Sequence, residues 1–480
     1  MFSQKIYKRP GLWALLGSCL AVAGCKAPAI VQQAGSRPAP ASYSNILDTT
    51  NTAASGWRNF FRDKNLENLI DTALKNNQEL MITLQEIEIA KNESRLRQSL
   101  LLPSAGARLG AGVEKVGRYT SQGAGDASTE IAPGKEVPDP LTDLTASVYA
   151  SWEIDIWKKL HNAKKAAVAR YLSSVEGKNF VLSNLVAEVA GSYYELLALD
   201  NQLAIVKQSI ELQKNALEVI KLQKEASRVT ELAVQKFRAE VLNSQRLEFG
   251  IQQQIRETEN RINFLAGRYP QPVLRDKADF LSLMPEAVSP GIPSQLLANR
   301  PDIRKAELEL AAAKLDVKVA RAEFYPSLGI SAAFGFQAFK PSYLVKMPES
   351  VLYSLAGDLA GPLVNRNGIK AEFNSASARQ LQAMYNYQRT ILNAYMEVST
   401  QLSNIDNLKK SYDLKSQEVD ALSESINISN DLFMSARADY LEVLMTQRDA
   451  LSSKLELIET KKEQLNAVTN IYKELGGGWK

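Results

Sequence analysis

The side chains best equipped for chemistry are few. The whole chain has one histidine, His161, and two cysteines, Cys19 and Cys25, both near the N-terminus. A hydrolytic triad needs a base beside a nucleophile, and a zinc site needs several Cys or His ligands. One histidine and two cysteines, six positions apart and remote from it, supply neither, nor do they form a CxxC redox pair. Carboxylates remain, but no stretch gathers them as a paired acid and base. No catalytic residue, metal site or cofactor is expected, and the chain does not read as an enzyme. His161 follows Trp157-Lys158-Lys159 at the start of a long helix, where its expected part is structural.

The 480 residues, 45% hydrophobic and 23% charged, allow two to four domains with a sizeable core. Lys and Arg number 57 against 53 Asp and Glu, a net charge of +4. No block concentrates the basic residues, so nucleic acid is not an expected partner. Lys5, Lys8 and Arg9 carry three of those charges and precede an apolar run from Leu12 to Gly24. A basic segment followed by a short apolar one is the export-signal pattern, too short to span a bilayer permanently. The run ends Val22-Ala23-Gly24-Cys25, which resembles the lipobox of bacterial lipoproteins. The resemblance implies cleavage after Gly24 and lipidation of Cys25. Ordinary secretion, with Cys25 incidental, is the alternative. Lipidation would consume the second cysteine and leave no disulfide, and several acyl chains at one site would anchor stably. Lys26 stands where an aspartate would resemble an inner-membrane retention signal, so the outer membrane is favoured. Residues 1–24 are thus the expected signal, and 25–54, with an Ala/Pro/Gln/Ser-rich 26–43, a lipidated flexible tether.

The rest of the chain repeats itself. Glu86, Ala90, Lys91 and Pro103 recur as Glu309, Ala313, Lys314 and Pro326, each 223 residues on (309 against 86). Glu188-Val189 recurs as Glu397-Val398, and Arg228, Leu232 and Val234 as Arg437, Leu441 and Val443, now 209 residues on (397 against 188). A longer loop in the first copy, the Gly/Asp/Pro-rich 117–142, accounts for the smaller offset. The expected organisation is a first repeat over 55–270, a linker over 271–294 and a second repeat over 295–480. Each repeat runs helix, strand pair, two long helices.

A heptad seam of Phe237, Val241, Ile251, Ile255, Ile262 and Leu265, and another of Leu441, Leu444, Leu451, Leu455, Ile458 and Leu465, predict coiled-coil helices. The proline-free stretch 158–226 would reach roughly 100 Å as one helix. Periodicity of this kind is also compatible with a soluble bundle or a filament. Alternation predicts four strands, at 105–114, 144–157, 327–338 and 351–364. Ala146, Val148, Ala150, Trp152, Ile154 and Ile156 mark one apolar face, and Leu328, Ile330, Ala332, Phe334 and Phe336 another. Ten-residue segments, apolar on one side and small or polar on the other, fit a transmembrane β-barrel; a half-buried soluble sheet alternates in the same way. Four strands cannot close a membrane barrel, and open edges are not tolerated in lipid. Strands of this number in a membrane require several chains to share one barrel.

Several stretches resemble the TolC-like outer membrane factors. They are Trp57…Leu66…Leu69…Ala73-Leu74…Asn77, Trp152-Glu153-Ile154-Asp155, Arg300-Pro301-Asp302-Ile303…Ala306-Glu307, Phe324-Tyr325-Pro326-Ser327 and Asp439-Tyr440-Leu441-Glu442-Val443-Leu444…Gln447-Arg448. The C-terminal Tyr472…Gly476-Gly477-Gly478-Trp479 belongs with them. The resemblance runs from about 55 to 479, and the lipobox fits the family's lipidated branch. It implies a fold that is mainly α with β. In a homotrimer, twelve strands would form an outer-membrane barrel and the long helices a hollow α-barrel in the periplasm. It also implies a periplasmic adaptor and an inner-membrane pump as partners, the channel being their passive exit duct. A duct for type I protein secretion, or a lipid-anchored coiled-coil structural protein without a pore, are the alternatives. An adaptor is disfavoured by the duplication.

The resemblance places the helical tips near 226–232 and 435–441, with Arg228, Val229, Thr230, Arg437 and Ala438 as adaptor-contact candidates. Leu441, Met445 and Arg448 share one helix face by their spacing and would form rings at a periplasmic gate. Met445 stands where a second acid would be expected, so the expectation is an apolar constriction with a single carboxylate ring from Glu442, to which Asp439 is the candidate addition.

Overall fold

A computed structural model describes residues 40, 42–43, 50–52, 55–276, 280–283, 289–362, 364 and 366–479. The expected signal, Cys25 and most of the tether lie outside the described residues. Two units form by contact. One consists of Ile89–Tyr171 and Leu308–Met384; the other consists of Leu172–Glu307, Tyr385–Lys480 and the described residues up to Glu88. In chain order the main elements are α1 (Lys64–Asn76), α2 (Gln78–Ser99), β1 (Ser104–Glu114), β2 (Leu141–Ile154), α3 (Lys159–Glu225) and α4 (Glu231–Leu265). They continue with α5 (Pro301–Ala322), β3 (Ser327–Ala338), β4 (Val351–Ala360), α6 (Asn367–Met434) and α7 (Tyr440–Glu474).

The duplication is visible in the lengths. Helices α2 and α5 have 22 residues each, α3 and α6 have 67 and 68, and α4 and α7 have 35 each. It extends to the turns. Between α3 and α4, Arg228 N–H donates to Gln223 O, with Ser227 left-handed at φ 59°. Between α6 and α7, Arg437 N–H donates to Leu432 O, with Ala436 at φ 57°. Both are left-handed helix stops that usually take glycine. Filling them with Ser and Ala costs strain that glycine would relieve, offset in part by glycine's freer unfolded chain. Ala436→Gly is therefore expected to stabilise by about 0.5 kcal/mol, read as a raised thermal midpoint; a lowered midpoint would contradict the strain argument. Glycine does occupy the corresponding stops after α4 and α7, Gly267 and Gly476. There a Cβ would run into the backbone at Asn76 and Asn299 respectively, so close approach as well as φ excludes a side chain.

In the first unit the strands form one antiparallel sheet in the order β1-β2-β3-β4. The register decides what the alternation means. Ala107, Val148, Phe334 and Tyr353 lie across from one another, as do Ala105, Ala150, Ala332 and Leu355. One face therefore carries all four apolar sets, and it is bare: Leu109 is 88% exposed, Tyr353 82% and Leu355 79%. Gly106, Arg108, Tyr149, Glu153, Ser331 and Asp358 occupy the other face. Gly335 is required there, because a Cβ would strike the backbone of Ala146 and Ser147.

Two strand ends differ from the alternation. Strand β2 stops at Ile154 rather than 157. Asp155 accepts from the N–H groups of Leu160 (3.0 Å) and His161 (2.8 Å), and the His161 ring lies 2.6 Å away. This cap starts α3 and takes Ile156 and Trp157 out of the ladder. Trp157 instead stacks on Tyr325 at 4.6 Å and donates to Pro326 O. Strand β2 also begins earlier, at Leu141. Strand β4 stops at Ala360, just before Gly361-Pro362, where proline has no N–H for the ladder; Leu363 lies outside the described residues.

In the second unit the core gathers Leu66, Ile70, Val189, Tyr193, Leu196, Ile262, Ile303, Ile458, Ile471 and Tyr472, nearly all fully buried. Each such Leu or Ile contributes about 1.5–3 kcal/mol relative to exposure. Asp63 caps α1 through the N–H groups of Asn65 and Leu66, and the Tyr193 hydroxyl donates to its other oxygen at 2.8 Å. A smaller cluster of Leu217, Ile220, Val234, Phe237, Val241 and Val443 holds the helix tips.

Candidate functional site

The face of α7 near its start separates two sets of residues. Val443, Gln447 and Ala450 are buried against the chain's own helices. Leu441 and Met445 are 37% and 45% exposed, and Arg448 lies 3.5 Å from its neighbour Asp449. The apolar seam expected from the sequence holds from Leu451 through Ile458 to Leu465, all buried. Toward the tip it moves round the helix to Val443, Gln447 and Ala450. The physical reason is that Leu217, Phe237 and Val241 offer their cluster to Val443, so Leu441 and Met445 are not part of the chain's own core. Glu442 is exposed at the first turn of α7. Asp439 is its N-cap residue but makes no side-chain cap bond; its carbonyl accepts from Glu442 N–H at 3.1 Å.

The first hairpin repeats this arrangement. Leu232, the counterpart of Leu441, is 59% exposed, and Val234, the counterpart of Val443, is buried. Sequence reasoning aligned Leu232 with Leu441 but did not assign it a role. Arg228, Thr230 and Arg437 are exposed at the tips, whereas Val229 and Ala438 are half-buried. Lys224 pairs with Glu231 at 2.5 Å across the first turn, and that contact, followed by Gln235, holds the Glu231 carboxyl below its ordinary range.

A buried ionic cluster lies at the C-terminal end of α7. Arg300 donates to Asp302 (2.6 and 3.0 Å), to Glu397 (2.8 Å) and to the Glu474 carbonyl (3.1 Å). Burial opposes the Arg300 charge, but Asp302 and Glu397 outweigh it and raise its pKa. The Glu474 carboxyl is pushed up to about 7 by burial and by nearby Glu397, against Lys473 and Arg300, and its Oε2 is buried without a hydrogen-bond partner. The first repeat solves the same problem without charge. Asn77, 223 residues before Arg300, donates to the carbonyl of Leu265, 209 residues before Glu474, at 3.0 Å. Arg300 and Glu474 are therefore an elaboration of one copy. Leu265 and Glu474 correspond because each is the last residue of its 35-residue helix. A second ionic knot joins Arg275 to Asp200 (2.5 and 3.0 Å) and Glu259 (2.8 Å).

Among the described residues no group of three or more His, Cys, Asp or Glu is placed to hold a metal ion, and no helix is long and apolar enough to cross a membrane.

Comparison with known proteins gives this arrangement its context. The family described as "Outer membrane efflux protein" matches residues 69–268 and 292–477. The pyoverdine export outer membrane protein OpmQ of Pseudomonas aeruginosa is 28% identical over 468 residues, covering 97% of this chain and 96% of that one. The probable outer membrane lipoprotein SilC of Salmonella typhimurium is 26% identical over 465 residues, covering 95% and 96%. The solved open state of the Neisseria gonorrhoeae MtrE outer membrane channel superposes with a TM-score of 0.82 at 21% identity, covering 94% of this chain and 98% of that chain. With both of its repeats matched by that family, the chain belongs to the outer membrane efflux proteins, a family of efflux channels.

Proposed function

We propose that this protein is the outer-membrane exit duct of a tripartite efflux pump, working as a homotrimer with a periplasmic adaptor and an inner-membrane transporter that supplies the energy. The observation that carries the proposal is the open four-stranded sheet with one bare apolar face. Lipid accepts such a face but not its edges. An even number of strands leaves β1 and β4 running in opposite directions. The β4 edge of one chain can then continue into the β1 edge of the next by the same antiparallel pairing, and three chains give twelve strands. The duct catalyses nothing; it offers a water-filled path through lipid.

Lipidation at Cys25 would add an anchor, and the name given to SilC supports a lipoprotein reading. OpmQ is named for pyoverdine export, which favours small-molecule export over protein secretion. At the tips, Leu441 and Met445 would face the axis with Glu442 and Asp439 beside them and Arg448 one turn on. Leu232 would add a second leucine from each chain. The exposed Arg228, Thr230 and Arg437, with Val229 and Ala438, would meet the adaptor.

Native mass in detergent together with single-channel recording tests the duct. A trimer that conducts is expected, and a stable monomer without conductance would overturn it. On the gate, Leu441→Ser is expected to raise closed-state leak conductance several-fold, because an apolar ring holds the pore shut by dewetting. An unchanged closed state would remove Leu441 from the gate.

A further inference from the structure

Strands β1–β4 join helices at one end, and at the other end carry two loops, 115–140 and 339–350. The loops differ in chemistry. The first mixes the acids Asp126, Glu130, Glu136 and Asp139 with Lys115, Arg118 and Lys135, and Lys115 lies 3.8 Å from Asp139; the second has the single acid Glu349, which pairs with neither of its lysines among the described residues. The second gathers two ammonium groups on two aromatic rings. Lys340 Nζ stands 6.0 Å from the centre of the Phe339 ring and Lys346 Nζ 4.8 Å from that of Tyr343, while the two rings meet edge-on at 5.0 Å. Among the described residues no carboxylate pairs with either lysine. Val345 and Met347, beside Lys346, are 79% and 67% exposed.

The loop is fastened. Ser350 donates to Lys346 O through both N–H and hydroxyl, and its own carbonyl accepts from Gln337 N–H at 2.8 Å. The Thr142 hydroxyl holds the Phe339 carbonyl; by alternation the Thr142 side chain lies on the bare apolar face with Ala146 and Val148. Immediately below on that face stand Phe336, Phe334, Val351 and Tyr353. Along the sheet the order is therefore apolar, aromatic, then cationic. It is the order in which a leaflet presents acyl chains, interface and phosphate.

We infer that the 339–350 loop docks a phosphorylated glycolipid of the outer leaflet, with Lys340 and Lys346 on its phosphate and Val345 and Met347 among its acyl chains. The inference rests on the membrane-channel reading above. The occupant follows from continuity with the lipid-facing sheet and from charge: two unpaired ammonium groups, with six donors between them, suit a phosphate bearing several acceptor oxygens. In a trimer the site would occur once per chain around the mouth.

The test uses the full chain reconstituted in phosphatidylcholine vesicles containing either lipid A or dephosphorylated lipid A, with bound glycolipid counted by native mass spectrometry. Lipid A is expected to be retained and its dephosphorylated form lost. The Lys340→Gln/Lys346→Gln protein is expected to bind lipid A at least tenfold more weakly, while Lys115→Gln binds as the parent does. Equal retention of both lipids, or of lipid A by the double variant, overturns the site. Displacement of lipid A by millimolar inorganic phosphate also overturns it, because the acyl contacts would then contribute nothing. Conductance of the same vesicles separates the two ideas. Conducting protein without lipid preference refutes the site and leaves the channel standing; folded protein that neither inserts nor conducts refutes the channel reading and the site with it.

Discussion

Arg300→Ala is expected to lower stability by about 3 kcal/mol or more, a fall in melting midpoint of roughly 3–5 °C for a chain of this size. The guanidinium is 8% exposed and holds two carboxylates and one helix-end carbonyl at once. Removing it strands Asp302 and Glu397 beside Glu474, and of the two cations acting on Glu474 only Lys473 would remain. Glu397 is half exposed and water will answer part of its charge, which places the effect at the lower end of the range for broken buried pairs. The internal comparison sharpens the test. Arg300→Asn combined with Glu474→Leu recreates the neutral tie of Asn77 and Leu265, and should recover part of what Arg300→Ala loses. Thermal melts of the detergent-solubilised protein decide it; a midpoint within 1–2 °C of the parent would show that the cluster is solvated and dispensable.

Glu474 makes stability depend on pH in an unusual direction. Its carboxyl titrates near 7 in the folded chain against an ordinary value of 4.5, chiefly because of burial. Below 4.5 both folded and unfolded chains keep the proton, and nothing is lost. As pH rises from 4.5 to 7 the unfolded chain releases it while the folded one retains it, so stability falls. Above 7 the loss levels off at about 2 kcal/mol, after allowing for the partial exposure of the site. Glu474→Gln should therefore melt higher than the parent at pH 8.5 and close to it at pH 5, flattening the pH profile. Equal slopes in the two proteins would mean that the carboxyl is not held neutral. Periplasmic acidity would act on this copy of the repeat and not on the other, whose Leu265 has no proton to exchange.

The alternations at 105–114 and 327–338 were legible to within a residue, because a two-residue period has no local competitor there. The other two strands were legible in position but not in extent: at 154 the Asp155 cap outbid the pattern, and at 360 Pro362 did. Heptad spacing located the α4 seam through Phe237 and Ile262. It misplaced Leu441 at the tip of α7, because apolar Leu441 looks like core until the partner cluster takes Val443 and, partly buried, Leu444 instead. Arg300-Pro301-Asp302 carried the family resemblance but no sign of its ion pairs. Its partners Glu397 and Glu474 lie 97 and 174 residues away, beyond any local spacing rule. The left-handed Ser227 and Ala436 were invisible for a different reason, since neither residue type announces that conformation.

The two unpaired sheet edges have a consequence for how the protein reaches its membrane. A chain that arrives alone has nowhere to put the bare N–H and C=O groups of β1 and β4 without water. For the proposed trimer, crossing into lipid and meeting other chains would then be one event, whose rate climbs with a power of chain concentration. At low synthesis the protein would wait in the periplasm, tethered if Cys25 is lipidated. An anchor confined to the inner surface of the outer membrane would raise the local concentration and turn a three-body encounter in volume into a search in two dimensions.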